Sequence, residues 1–437
     1  MTDQDFKLTS QSNSWMRIGK LAKNKDVVFN NIFQHFNAEN LRQAYAAIDG
    51  LKAVGIDRIT KDQYGKDLDS NLQSLLTRLH IGSYRPQAKR GVEIPKANGK
   101  TRLIAVGSFE DKLVEWVLAQ ILTQLYEPLF IETSYGFRPK RSTFHAVKTI
   151  FSSLFKKKRK HVVDVDIKGF FDTVSHRKMI KMLEKRISDR KVLNLISRLL
   201  EVGIITATGL IEKDQGTPQG GIASPILSNI YLHHVIDVWF LENFAKRGGV
   251  FSRYADDVIF TFTEKEEMDR FYDEVRKRLN FYNLEINEEK SSKIDFSPKG
   301  GNVFHFTGFT FYWGTDRGCF KKRLRVKTKR ERLNKAIADS NEWLKLNRNR
   351  YTTEKIWNHI KSILRGHYNY FGLGCNRSKL VHFYYAVSGL VYKWLNRRSQ
   401  RKSINGAKFK RMLLRNSLPF PPDVRKLKHL IDRGIYV

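Results

Sequence analysis

Two short apolar segments of this chain carry carboxylates where a buried strand has little room for charge. Val162-Val163-Asp164-Val165-Asp166-Ile167 alternates and is β-branched, which predicts a buried strand. Tyr254-Ala255-Asp256-Asp257 lies between Phe251 and Val258-Ile259-Phe260, which predicts a hairpin from Phe251 to Phe262 with two adjacent acids at or beside its turn. Adjacent carboxylates repel and lose hydration there unless a cation sits between them and something else, so the pattern points to a divalent metal. If the two strands are neighbours in one sheet, Asp164 and Asp166 supply the ligand the hairpin lacks. Two Mg²⁺ ions about 3.5 to 4 Å apart can activate an attacking oxygen, stabilise a leaving one and clamp the phosphates between them. The tetrapeptide alone fits a plain turn and cap equally well.

Charge narrows the partner. The 79 Lys plus Arg against 44 Asp plus Glu leave a net charge of +35 over 437 residues. Such an excess makes a polyanion the leading partner, through phosphate neutralisation and counterion release, with an acidic membrane surface the weaker alternative. At 41% hydrophobic and 12% aromatic the chain has ample core material, which excludes disorder as a whole and predicts about two to four structural units. Cys319 and Cys375 lie far apart without a Cys-x-x-Cys spacing, so neither a disulfide framework nor a zinc site is expected and a reducing cytoplasm fits best. The N-terminus carries Asp3 and Asp5, and the longest apolar stretch, near Leu113 to Tyr126, is interrupted by Glu115, Gln120 and Gln124. No leader and no membrane span are expected.

Along the chain, Leu68, Leu72, Leu75, Leu76 and Leu79 recur at helical spacing before Gly82 and Pro86 end the pattern. Val92–Pro95 and Thr101–Val106 flank Asn98-Gly99, which predicts a hairpin with Lys96, Lys100 and Arg102 near its tip, and a helix from about Glu110 to Tyr126 follows. The run Lys156 to Lys160 reads as a solvated loop, with phosphate contact as the alternative. Gly216-Thr217-Pro218-Gln219-Gly220-Gly221 leads into a helix that Ser224 would cap and Pro225 begin, with an apolar face from Ile226 to Trp239. Its spacing is not that of a Walker loop; its glycines would let a nucleotide or template base approach the backbone, while a structural turn is the plain alternative. Phe304 to Phe311 alternates at the strand period, with Gly308 allowing a bend or a close backbone approach. Beyond it nine residues between Arg317 and Arg332 are Lys or Arg, helical patterns run from Arg330 to Leu346, Lys355 to Leu364 and Ser378 to Leu395, and eleven Lys or Arg lie between Arg397 and Lys428.

Taken in order, these pieces resemble a group II intron reverse transcriptase, or maturase. The resemblance runs from Gly55-Ile56-Asp57 through Ile94-Pro95-Lys96-Ala97-Asn98-Gly99-Lys100-Thr101-Arg102, Ser134-Tyr135-Gly136-Phe137-Arg138-Pro139-Lys140-Arg141-Ser142 and Asp166-Ile167-Lys168-Gly169-Phe170-Phe171-Asp172. It continues through Pro218-Gln219-Gly220-Gly221, Tyr254-Ala255-Asp256-Asp257, Leu284 to Lys290 and Phe306-Thr307-Gly308-Phe309, and reaches Arg365 to Gly372 and Trp394 to Gln400. Arg58 and the dipeptide Leu103-Ile104 depart from the family's usual residues.

The resemblance implies an α+β, right-hand polymerase. Residues 1–90 would be an N-terminal helical extension and the start of the fingers, 91–315 fingers and palm, 316–396 a helical thumb or maturase X domain, and 397–437 a short basic tail that could bind DNA. Asp166, Asp256 and Asp257 would form the catalytic, metal-binding triad, with Ile167 contributing backbone and Asp164 and Asp172 as competing acids. Two Mg²⁺ ions, or Mn²⁺ in their place, would be the cofactors. Lys96, Arg102, Phe171, Gln219, Gly220 and Lys290 would surround the incoming dNTP: Lys96 and Arg102 on the triphosphate, Phe171 as the steric gate against a ribose 2′-OH, and Lys290 as general acid for pyrophosphate. Arg138, Arg141, Tyr254 and Gly308 would contact nucleic acid. The implied partners are an RNA template or intron RNA, a DNA primer or target, the RNA–DNA hybrid and dNTPs, in a bacterial-type cytoplasm beside nucleoid or ribonucleoprotein. No Cys-containing His-Asn-His endonuclease segment is found, so second-strand cleavage is not expected. The alternatives are a domesticated enzyme in host defence or repair, and a mainly RNA-binding splicing cofactor.

Overall fold

The segment His161–Val165 pairs antiparallel with Asp257–Phe262, setting Asp164 opposite Ile259 and Val165 opposite Val258, so both acid-bearing strands share one sheet. The computed structural model describes residues 13–95, 101–156, 159–212, 214–315, 322–398 and 404–422. Along the chain the strands are β1 (Lys89–Pro95), β2 (Thr101–Val106), β3 (His161–Val165), β4 (Ile204–Thr206), β5 (Gly209–Ile211), β6 (Val250–Tyr254), β7 (Asp257–Phe262), β8 (Ser292–Asp295), β9 (Phe304–Phe306), β10 (Phe309–Thr315) and β11 (Lys322–Thr328). The central sheet has the order β6-β7-β3-β8, all antiparallel; β2-β1-β4-β5 and β11-β10-β9 form two smaller sheets. With the helices around them they make an α+β chain.

Both faces of the central sheet are covered, which is why its strands read as nearly continuous apolar runs. Val163, Val165, Val258 and Phe260 join one core with the helices Phe109–Tyr126, Ser224–Leu232 and Lys265–Phe281. Val162 and Ile259, on the opposite face, join a second core with the helix Thr143–Lys156, strands β9 to β11 and the C-terminal helices. Burial of each such side chain contributes about 1.5–3 kcal/mol, and that gain lets the strands tolerate acids at one end.

Two local expectations are corrected. Phe304 to Phe311 is not one bent strand but a hairpin, β9 and β10, with Phe306 opposite Phe309 and Thr307-Gly308 as its two-residue turn. Both turn residues have positive φ, 48° and 82°, as a tight hairpin of this hand demands. Ser224 begins its helix but does not cap it: its hydroxyl donates to Pro218 O at 2.7 Å. The backbone N–H groups of Ile222 and Ala223 go instead to Glu115 Oε2, at 2.5 and 3.3 Å. Glu115 Oε1 takes Lys89 Nζ at 2.6 Å, an ion pair whose side chains are 5% and 2% exposed. The helix after Ser224 also passes through one π-type turn, His233–Asp237, before Val238–Asn243.

The helices Arg330–Asn347, Thr353–Phe371 and Arg377–Asn396 pack through Leu364, Leu380, Phe383, Val387 and Val391, all buried. Asn376, fully buried, ties them to β11: its Oδ1 accepts from Thr328 N at 2.8 Å and its Nδ2 donates to Phe371 O at 2.9 Å. Within the basic tail Gly406–Arg415 is helical, with Phe409, Met412 and Leu413 against the C-terminal core and Lys410, Arg411 and Arg415 exposed. Among the described residues no helix is long and apolar enough to cross a membrane.

The most buried charge supports the β6–β7 turn. Arg253 is wholly inaccessible, with Nε and Nη2 on the Asp237 carboxylate at 2.8 and 2.5 Å and Nη1 on Asn229 Oδ1 at 2.9 Å and Ala255 O at 3.1 Å. Asp237→Ala leaves that guanidinium unpaired and should cost about 3–5 kcal/mol in urea unfolding. The double change Arg253→Met with Asp237→Leu should cost far less, because no charge is then stranded.

Candidate active site

Asp256 and Asp257 sit at the β6–β7 turn because Ala255 takes a left-handed conformation, φ 59°. Three supports hold that shape. Arg253 binds Ala255 O; residues 133 to 135 pair with β6 through Arg253 N to Thr133 O and Tyr135 N to Arg253 O, 2.9 and 2.8 Å; and Gly136 lies so close that a Cβ would meet Ala255 N at 2.2 Å. Asp166 lies just past β3. Its N–H donates to Ser291 Oγ at 3.0 Å, its carbonyl accepts from Asn287 N at 2.8 Å, and its carboxylate stands 3.9 Å from Lys290 Nζ. Ile167, 5% exposed, bridges Ile286 and locks the same segment. Asp164, Asp166, Asp256 and Asp257 all open into one cleft of about 540 Å³, whose rim carries Lys290, His305, Lys329 and Arg332 and whose wall includes the Thr307-Gly308 turn.

These acids are electrostatically crowded. Burial, together with repulsion from Asp256 and Asp166, lifts Asp257 to about 7, against the pull of the Thr307 N–H on its Oδ2 at 2.8 Å. Burial and repulsion from Asp257 and Asp166 lift Asp164 to about 8, with Lys329 opposing. Asp256 is raised by burial and by Asp166, while its own backbone N–H, Arg102 and Arg253 pull the other way. Carboxylates are the donors a hard divalent cation takes, and such a cation would relieve this repulsion, so the residues fit a Mg²⁺ or Mn²⁺ ion in kind. As they stand, no three His, Cys, Asp or Glu side chains among the described residues close around one point.

The residues expected around a nucleotide gather beside this cleft. Arg102 Nε donates to Gln219 Oε1 at 2.5 Å, and Gln219 Nε2 donates to Asp172 Oδ2 at 3.4 Å. Gln219 is placed by its carbonyl, which accepts from Ala105 N at 2.6 Å, and Gly220, φ 108°, passes so near that a Cβ would meet Ala105 O at 2.9 Å. Phe171 is partly buried against the first core, and its carbonyl takes Thr217 N at 2.6 Å, binding that segment to the Gly-rich loop. Lys96 lies outside the described residues.

The expected nucleic-acid contacts divide. Arg138 is corrected to a structural role: its side chain is 2% exposed and its guanidinium is engaged by Glu127, Ile131 O and Ser134 O, so a phosphate cannot reach it. Arg141 pairs with the exposed Glu132 at 2.7 Å and remains partly open. Tyr254 packs on the second core beside the acids, and Gly308 lines the cleft. Residues that sequence reasoning passed over are Lys329, Arg332 and the Arg253–Asp237 pair; an arginine inside an otherwise apolar strand was the available signal for the last. Asp164, read as a competitor, shares the cleft because the strand period puts it on the face of Asp166.

Residues 94–311 match the reverse transcriptase (RNA-dependent DNA polymerase) family. The chain is 31% identical to protein YkfC of Escherichia coli over 292 residues, 59% of this chain and 76% of YkfC. It is 34% identical to the group II intron-encoded protein LtrA of Lactococcus lactis over 222 residues, half of this chain but 37% of LtrA. A telomerase structure from Candida albicans in complex with a telomeric RNA fragment aligns over 87% of this chain and 71% of its own at 14% identity and a TM-score of 0.42.

The raised acids have a sign that can be checked. A carboxyl whose folded pKa lies above its unfolded value keeps its proton longer in the native state, so stability falls as pH rises from about 4 to about 8. Asp164→Asn removes that group's share. In EDTA the wild type should therefore lose more melting temperature than Asp164→Asn between pH 5.5 and 8.5, and added Mg²⁺ should narrow the gap.

Proposed function

Because this chain belongs to the reverse transcriptases of the group II intron kind, we propose that it extends a primer 3′-OH with dNTPs on an RNA template at the cleft formed by β3 and the β6–β7 turn. The observation that carries this reading is the meeting of Asp166 with Asp256 and Asp257 in one cleft, from segments 90 residues apart. Residues 91–315 act as fingers and palm, 316–396 as the thumb and 397–437 as the tail.

Asp166, Asp256 and Asp257 would hold the divalent ions. The chemistry such ions supply is activation of the attacking oxygen and neutralisation of the leaving one. The 3′-OH loses its proton to water and attacks the α-phosphate, an O–P bond forms, and the bond to pyrophosphate breaks. Arg102, released from Gln219, offers a bidentate donor to the triphosphate, and Gln219 and Gly220 line the base and sugar side. Phe171 crowds the ribose 2′ position. Lys290, 3.9 Å from the Asp166 carboxylate, would give a proton to departing pyrophosphate.

A second activity, holding intron RNA in its splicing fold, is favoured by the exposed basic face of Gly406–Arg415 and by the match to an intron-encoded protein. It needs no acids.

Mg²⁺-dependent extension of a DNA primer on RNA tests the reading. The double change Asp256→Ala with Asp257→Ala should abolish extension while leaving RNA affinity within about twofold, since affinity rests on the basic surfaces. Extension undiminished by that change would reject the site. Phe171→Ala should leave extension with dNTPs and raise incorporation of rNTPs.

A further inference from the structure

The Thr307-Gly308 turn stands between the C-terminal helices and Asp257, and it is held from both sides. On one side Thr307 N–H donates to Asp257 Oδ2 at 2.8 Å. On the other, Tyr370 Oη, from the last turn of the helix Thr353–Phe371, donates to Thr307 O at 3.0 Å. Lys329 N–H, at the start of the first C-terminal helix, donates to Gly308 O at 2.9 Å. The Tyr370 ring lies nearly parallel to Phe309, the residue after the turn, at 8° and 6.2 Å between centroids. Phe371 borders Gly308, where a Cβ would come within 3.6 Å of it.

This turn needs its supports. Thr307 is β-branched and left-handed, a conformation such residues keep only when their surroundings impose it. One residue therefore carries both contacts: its N–H aims a carboxylate and its carbonyl is aimed by the C-terminal unit. Asp257 has a reason to turn away if released, since Asp164, Asp166 and Asp256 crowd the same cleft.

We infer that Tyr370 is a positioning residue that sets the Asp257 carboxylate for a divalent ion through Thr307, so that the pose of the thumb helix tunes the metal affinity of the site. The inference rests on the reading of Asp257 as a metal-holding residue. It gives the thumb a part in the chemistry beyond gripping nucleic acid. A thumb held away from the turn loosens the carboxylate, and a thumb seated on it restores the aim.

The test is Mn²⁺ binding to the full chain without nucleic acid, followed by electron paramagnetic resonance, together with the Mg²⁺ dependence of primer extension. Tyr370→Phe keeps the ring and loses only the hydroxyl. It should weaken Mn²⁺ binding by about 3- to 10-fold, the effect of one hydrogen bond, and raise the Mg²⁺ needed for half-maximal extension by a similar factor. The KM for dNTP should stay within about twofold of wild type, since no nucleotide contact is touched. Tyr368→Phe is the control: that hydroxyl, in the same helix, donates to Pro419 O at 3.1 Å and should move none of these values. Wild-type Mn²⁺ affinity in Tyr370→Phe, with Asp257→Asn weakened, would overturn the role of Tyr370 alone. Equal Mn²⁺ binding by wild type and Asp257→Asn would overturn the metal reading and this inference with it.

Discussion

Holding carboxylates that are buried and that also repel one another is the constraint the central sheet is built to withstand. Burial comes first among the causes that raise Asp164, Asp256 and Asp257, and repulsion from their acidic neighbours adds to it. The strands that carry them are buried on both faces: Val162, Val163, Val165, Val258, Ile259 and Phe260 are all at most 1% exposed. The cations nearby oppose this only in part: Lys290 approaches Asp166 to 3.9 Å, and Lys329 pulls against the rise at Asp164 and Asp257. Repulsion is thus left in place rather than cancelled by a close salt bridge. A site relaxed by its own lysines would have little left to give a metal.

Backbone, more than side chain, holds the acids in place. Ala255 and Thr307 both occupy the left-handed region, and each is pinned: the first by Arg253, two residues before it, with the loop at Gly136, the second by Tyr370 and Asp257. The buried guanidinium of Arg253 does two jobs with one geometry, closing an ion pair with Asp237 and capping a carbonyl of the turn that presents Asp256. Strain kept at such a turn persists only if the surroundings over-determine it, and here they do.

What could be read from sequence follows from how local each cause is. The acid strands, the β6–β7 hairpin and the three C-terminal helices declare themselves through period and composition within a dozen residues. The β9–β10 hairpin did not, because phenylalanines on both arms keep an apparent strand alternation and Thr at a left-handed position has no local signature. Ser224 looked like a cap because the true acceptor, Glu115, lies 107 residues from Ile222. Arg138 was expected at a phosphate because its segment, Ser134 to Ser142, resembles one that the family sets beside nucleic acid; only the fold reveals Glu127 and the backbone carbonyls around it. The ordered motifs identified the family, whereas which acids share a cleft required the register of β3 against β7.

The two electrostatic scales of the molecule work in opposite senses, and the proposed chemistry needs both. Over the whole surface the excess of Lys and Arg draws a polyanion, an attraction that falls off with salt beyond about 10 Å. Within the cleft, close-set acids would repel that same backbone. A divalent ion would reverse the local sign, so that the acids would admit phosphate only when loaded. Binding of nucleic acid and readiness for chemistry are then separable properties of one chain. Under the proposed function a substitution on the basic exterior would change how firmly the strand is held, and a change at the acids, or at the turn beside Asp257, would change whether the held strand is extended.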